Sequence, residues 1–291
     1  MQSRIYECHG HIDKSGTTVF EALKALARSG VSYYRDGGDP YANNIKAKEA
    51  AALLGIDFVS PGFAIYKEGR YGKYLGRPYR SLSEYRELVL EAKALGADFI
   101  KLIISGIITF KKDGELSCPS LDAEEISALT GIAHDEGFAV MAHANGKDAV
   151  LAAVSAGVDS IEHGAFMDDE CLEALSGSST IWVPTIAAIA AFSGRAGRGS
   201  TARYSPRGGF DPGLTRMITE NHMSAVLRAA SLPSGSDPSK RVLIAAGSDS
   251  GAYGVPFGMG TLSEYGLLQE CGVSAGSLIA ANELLRGRFR R

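Results

Sequence analysis

Short apolar or β-branched runs recur along the chain, at residues 5–12, 30–36, 56–65, 97–105, 138–144, 158–163, 180–186 and 242–248. Between them, residues 18–28, 45–54, 81–95, 122–136, 147–156 and 214–230 set apolar side chains three and four apart, the period of a helix with one buried face. Ser81 and Asp122 are placed as N-caps, and Gly30, Gly55, Gly96, Gly137 and Gly157 follow helix ends. Strands alternating with helices imply βαβ units and a parallel sheet, and near-continuous apolar strands imply burial on both faces. Eight such repeats predict an α/β fold, a closed (β/α)8 TIM-type barrel, as a single domain over residues 1–291. A doubly wound open sheet would need a glycine-rich phosphate turn after an early strand, and none has the right spacing.

Two stretches break the repeat. Residues 67–79 are rich in Gly, Tyr and basic side chains, and residues 193–212 are rich in Gly and Arg. Both follow strands, so in a barrel they lie at the C-terminal mouth, where long loops build or cover a site. Composition then narrows the partners. Thirty basic against thirty-three acidic residues give a net charge of −3, with no polyelectrolyte face for nucleic acid or an anionic membrane. The four cysteines lie far apart with no CxxC pair, which argues against a thiolate zinc site and gives no disulfide framework. The first residues carry no apolar leader and no run reaches the length of a membrane span, so a cytoplasmic protein is expected.

Four of the six histidines stand at expected strand ends. His9 and His11 form an HxH pair whose period-2 spacing points both rings to one face; His143 ends the fifth run and His163 the sixth. Asp249 ends the eighth, and Lys101 lies inside the apolar fourth run, where a charged ammonium is costly to bury. A lone histidine is usually a satisfied core or surface residue. Five N/O donors and a lysine converging on one barrel mouth are instead the donor set of a metal site, with zinc the first choice.

The stretches ECHGHID, GVSYYRDGG, FIKLIISG, VMAHANG, GVDSIEHG, VPT and AAGSDSG, in that order and spacing, resemble the amidohydrolase superfamily, in its imidazolonepropionase-like and prolidase-like branch. The resemblance implies that His9, His11 and Asp249 hold a buried divalent ion and that His143 and His163 hold a more exposed one. It further implies that Lys101 is N-carboxylated by carbon dioxide and bridges the two. The expected reaction is hydrolysis of an amide, cyclic amide or ester by a metal-activated hydroxide, with Asp249 as catalytic proton shuttle. Two departures stand out. The β-sandwich that usually wraps the barrel is largely absent, as in a truncated product or a compact variant, and Glu7 opens the HxH motif where the family usually has Asp.

Two other activities compete. A metal-dependent deaminase of a small nitrogen heterocycle would carry an acid just after the fifth-strand histidine, where this chain has Ala144, Asn145 and Gly146. An inactive metal-binding barrel would have no need of all six residues. The substrate is expected to be a small molecule. Arg70, Tyr71, Tyr74, Arg203, Tyr204 and Arg207 would suit one bearing a carboxylate, the alternative being that they only solvate the rim.

Overall fold

A computed structural model describes residues 4–14, 16–194, 210–232 and 241–290. Its strands are β1 (Ile5–Gly10), β2 (Val31–Asp36), β3 (Asp57–Val59), β4 (Ala64–Lys67), β5 (Gly76–Tyr79), β6 (Ile100–Ile103), β7 (Val140–Ala144), β8 (Ser160–His163), β9 (Ile181–Val183) and β10 (Leu243–Ile244). The helices are α1 (Val19–Arg28), α2 (Ala47–Leu53), α3 (Leu82–Ala94), α4 (Ala123–Asp135), α5 (Lys147–Ser155), α6 (Asp169–Ser176), α7 (Ile186–Phe192), α8 (Pro212–Ser231), α9 (Met259–Glu270) and α10 (Ala275–Arg288). Both expected N-caps form: the Ser81 and Asp122 side chains accept from the backbone N–H of Glu84 and Glu125. The five glycines expected after helix ends all take left-handed φ, between 74° and 80°, which only glycine adopts without strain.

All the strand pairs are parallel, as the buried apolar runs predict. The ladder, however, forms two sheets, β1-β2-β3 and β10-β9-β8-β7-β6-β4-β5, rather than one closed ring. The third expected strand is the reason on one side. Pro61 lacks a donor and Gly62 has φ of 72°, so the run breaks after Val59: β3 pairs with β2, and β4 with β6. Across this break Asp98 N–H donates to Ser60 O at 2.9 Å. On the other side three backbone bonds replace a ladder: Cys8 N to Ala246 O, Asp249 N to His9 O and His11 N to Ser250 O, at 2.7–2.8 Å. The staves thus follow one another in chain order with two seams. β5 is an extra edge strand inside the 67–79 insertion.

One apolar layer lies between strands and helices. A second fills the floor, where Tyr6, Cys8, Tyr33, Phe99 and Met141 meet Leu285 and Phe289 from the end of α10. All four cysteines are free. Among the described residues no helix is long and apolar enough to cross a membrane.

Candidate metal centre at the strand ends

β1 runs three residues from Glu7 to Gly10 while β2 runs two from Tyr34 to Asp36, so one extra residue bulges β1 at the first histidine. Cys8 packs in the floor cluster with Met141 and Val183, and its neighbour His9 also reaches the interior, 2.6 Å from Glu162 through Nδ1. His11 follows two residues on. Asp249, just past β10, has φ of 61° and donates its N–H to His9 O at 2.8 Å. Its Oδ1 lies 3.4 Å from His11 Nε2 and 3.7 Å from His9 Nε2. His9, His11 and Asp249 offer ligand atoms all within 4.8 Å of one another.

His143 and His163 lie beside this trio rather than in it. Their rings are 4.7 Å apart, and the His163 ring is 4.8 Å from that of His9. Three of the four histidines are held through one nitrogen. His143 Nε2 meets Gly106 O at 3.1 Å, His163 Nδ1 meets Thr185 Oγ1 at 2.8 Å, and His9 Nδ1 meets Glu162. The opposite nitrogens, His143 Nδ1, His163 Nε2 and His9 Nε2, are those left for a ligand. Lys101, on β6, is buried with relative exposure of 1%.

The electrostatics are those of a dry site. Burial lowers His9 and His163 well below the usual imidazole range, and His11 and His143 to about 3; the Lys101 charge pushes all four the same way. These rings are neutral, the form that donates a lone pair to a metal. Burial also lowers Lys101 to about 8 and raises Asp249 to about 7. On the candidate ligands, four buried polar atoms have no hydrogen-bond partner: His9 Nε2, His11 Nδ1, Lys101 Nζ and Asp249 Oδ1. Orphaned atoms of this kind are costly unless something else satisfies them, and a divalent cation fits the nitrogen and carboxylate donors among them.

Supports around the site escaped the sequence reading. Glu7 accepts from the N–H and Oγ–H of Ser248, from Thr261 Oγ1 in α9 and from His9 N–H, joining β1 to the segment carrying Asp249. Glu264 in α9 accepts from the N–H groups of Ile186 and Ala187, at 3.0 and 2.7 Å. That grip stabilises Thr185, whose φ of 49° is unusual for a β-branched residue. Asn145 accepts from Ala165 N–H and donates to Gly106 O, tying together the loops after β6, β7 and β8. The only signal in the sequence was proximity, since each of these residues stands within a few positions of a ligand or on a helix packed behind one.

Of the loop residues suspected of binding a carboxylate, Tyr71 reaches the site, its ring 5.3 Å from that of His143. Arg70 donates instead to the carbonyls of Pro119 and Ser120, and Tyr74 stands exposed. Arg203, Tyr204 and Arg207 lie outside the described residues.

Comparisons with known proteins bear on the fold and the family. Ochratoxinase of Aspergillus niger is 24% identical over 214 residues, covering 65% of this chain and 44% of the relative. An uncharacterised protein of Mycobacterium tuberculosis is 29% identical over 135 residues, 43% of this chain and 36% of its own length. The chain thus spans less than half the length of these curated relatives. Among solved structures, a Xaa-Pro dipeptidase with bound methionine in its active site superposes with a TM-score of 0.73 at 23% identity, over 97% of this chain and 75% of that one. The A. niger ochratoxinase structure gives 0.67 at 19%, over 97% and 71%. These likenesses establish the fold. The sequence profile of the amidohydrolase family matches residues 13–269, taking in Lys101, His143, His163 and Asp249 though not the HxH pair, and on that match the chain belongs to the amidohydrolase family.

Proposed function

We propose that the protein is a metal-dependent hydrolase of a small-molecule amide, cyclic amide or ester, with His9, His11, Lys101, His143, His163 and Asp249 as its metal ligands. The observation that carries the reading is the set of four buried, unpartnered polar atoms at the strand ends. His9, His11 and Asp249 would hold one divalent ion, zinc by donor chemistry, and His143 with His163 a second. Lys101, as its carbamate, would lie between them. Burial favours the neutral amine, which is the form that reacts with carbon dioxide.

A divalent ion at such a site acidifies water and polarises a carbonyl. The side chains supply the rest. Asp249 takes a proton from the attacking water at its carboxylate and returns it to the leaving nitrogen or oxygen as that bond breaks. The Tyr71 ring stands beside His143 at the site. Residues 144–146, just after His143, carry no acid, and both ends of the Asn145 amide are already bonded to backbone. That favours carbonyl hydrolysis over deamination. Family membership and the amide-cleaving dipeptidase among the structural neighbours support the same reaction class.

The test is a zinc titration with and without bicarbonate, alongside turnover on N-acyl amino acids, dipeptides and lactams. Two equivalents per chain in bicarbonate, falling to one for Lys101→Ala, is the expected result. Full metal content and full activity in that variant would leave Lys101 a core lysine only.

A further inference from the structure

Beneath the metal centre lies a buried charged column that takes no part in the chemistry just described. Arg35, on β2, has no solvent exposure, and neither has Glu162 on β8. The guanidinium donates through Nε to Cys8 O at 2.7 Å, through one terminal nitrogen to Ser160 Oγ at 2.8 Å, and through the other to Glu162 Oε1 at 2.7 Å. Its plane is backed by Phe289, the residue that follows α10, with the carbon of the guanidinium 4.3 Å from the centre of that ring. The second oxygen of Glu162 lies 2.6 Å from His9 Nδ1. A carboxylate can only accept, so His9 must donate there as the Nδ1–H tautomer.

We infer that Arg35 and Glu162 are positioning residues that lock the tautomer and direction of His9, presenting Nε2 to the metal. The inference rests on the metal reading above. Three features argue for a lock rather than incidental packing. Taking a guanidinium and a carboxylate out of water is expensive, and an apolar pair would fill the same volume at less cost. Two contacts of the pair bear directly on His9: Cys8 O is the carbonyl immediately before it, and Glu162 holds the ring itself. The planar guanidinium also spreads its donors over Cys8 O, Ser160 Oγ and Glu162 Oε1 at once, a fixed arrangement that a lysine would not reproduce. The β1 bulge makes such a lock necessary, since it releases His9 from the regular pleat that would otherwise aim its side chain.

Two measurements separate this inference from the metal reading. Long-range 1H–15N correlation of the imidazole nitrogens in the metal-free protein reports each tautomer directly. The wild type should show His9 protonated at Nδ1 and bare at Nε2, and Glu162→Gln should show a mixture. Chelator competition with zinc should show affinity reduced by ~10–100-fold in Glu162→Gln, and likewise in the apolar double variant Arg35→Met/Glu162→Leu, with unchanged circular dichroism. The double variant removes both charges together and so keeps the fold accessible if the single change does not. Wild-type His9 protonated at Nε2 overturns the lock outright, whatever the variants do. A folded variant with wild-type zinc affinity overturns it as well. A wild type with the expected tautomer that binds no zinc instead overturns the metal reading, and the role of the lock with it.

Discussion

Gly37 gives the sharpest test of how His11 is aimed. It follows β2, donates its N–H to Gly10 O at 2.7 Å, and does not take a positive φ, so its backbone accepts alanine without strain. A Cβ there would stand 2.2 Å from Cε1 of His11, 2.7 Å from Nε2 and 2.8 Å from Nδ1. Ordinary contact begins at 3.4 Å, so the imidazole must retreat by about 1.2 Å. The ring is the far end of a side chain and can swing. The stability penalty should therefore fall at or below the low end of the ~1–3 kcal/mol typical of overpacking. The metal centre has no such freedom. His11 Nε2 is 3.4 Å from Asp249 Oδ1, and a displacement on the scale of 1 Å would separate two of the ligands proposed for one ion. Gly37→Ala should keep its melting temperature nearly unchanged while zinc affinity, by chelator competition, and turnover fall by ~10²-fold, the usual effect of ångström-scale misplacement. Wild-type zinc affinity and turnover in the folded alanine variant would refute the placement of His11 as a ligand.

Three further outcomes are expected. Asp249→Asn should keep its fold and lose ~10²–10⁴-fold in turnover, because the amide cannot accept the proton; near-normal rates on a good substrate would remove Asp249 from that role. Glu7→Asp shortens the carboxylate that spans Ser248 and Thr261, leaving buried donors unmade, and should lower stability by ~1–3 kcal/mol in urea denaturation. Gly131 lies within α4 with nothing within 4 Å of an added Cβ, so Gly131→Ala should raise stability by about 0.5–1 kcal/mol, and a loss would mean the helix is misplaced.

The alternation of strand and helix could be read from the chain because burial on both faces makes each strand a continuous apolar run, and because caps and terminal glycines punctuate the helices. Helices α6, α7, α9 and α10 were not among the predicted segments. Leu267 and Leu268 of α9 are buried while Met259 and Leu262 are exposed, so no single apolar stripe stands out. The break in the third run was marked by Pro61 and Gly62, yet its consequence, a strand divided between two sheets, depends on partners that no local pattern specifies. The candidate donors stand out in the sequence because His and Asp at the ends of apolar runs, and Lys inside one, are conspicuous. Glu162, Arg35 and Glu264 do not, since a single polar residue beside a ligand or within a helix has no pattern of its own.

The seams bear on the chemistry as well as the topology. In a regular β1, strict alternation would follow the interior residues Tyr6 and Cys8 with His9 facing the helices, on the side where Glu7 meets Thr261 of α9. One extra residue between Glu7 and Gly10 turns His9 inward beside Cys8, at the expense of regular pairing in the strand. Asp249 takes a left-handed backbone on the other side of the same seam, where β10 has already ended after two residues. Ladder bonds alone would hold neither residue in register. Glu7 does so with one carboxylate that reaches the backbone of His9 and Ser248 together. A glutamate at the head of the HxH motif therefore follows from the seam: the carboxylate must cross from β1 to the β10 segment and to α9, a span that favours the longer side chain.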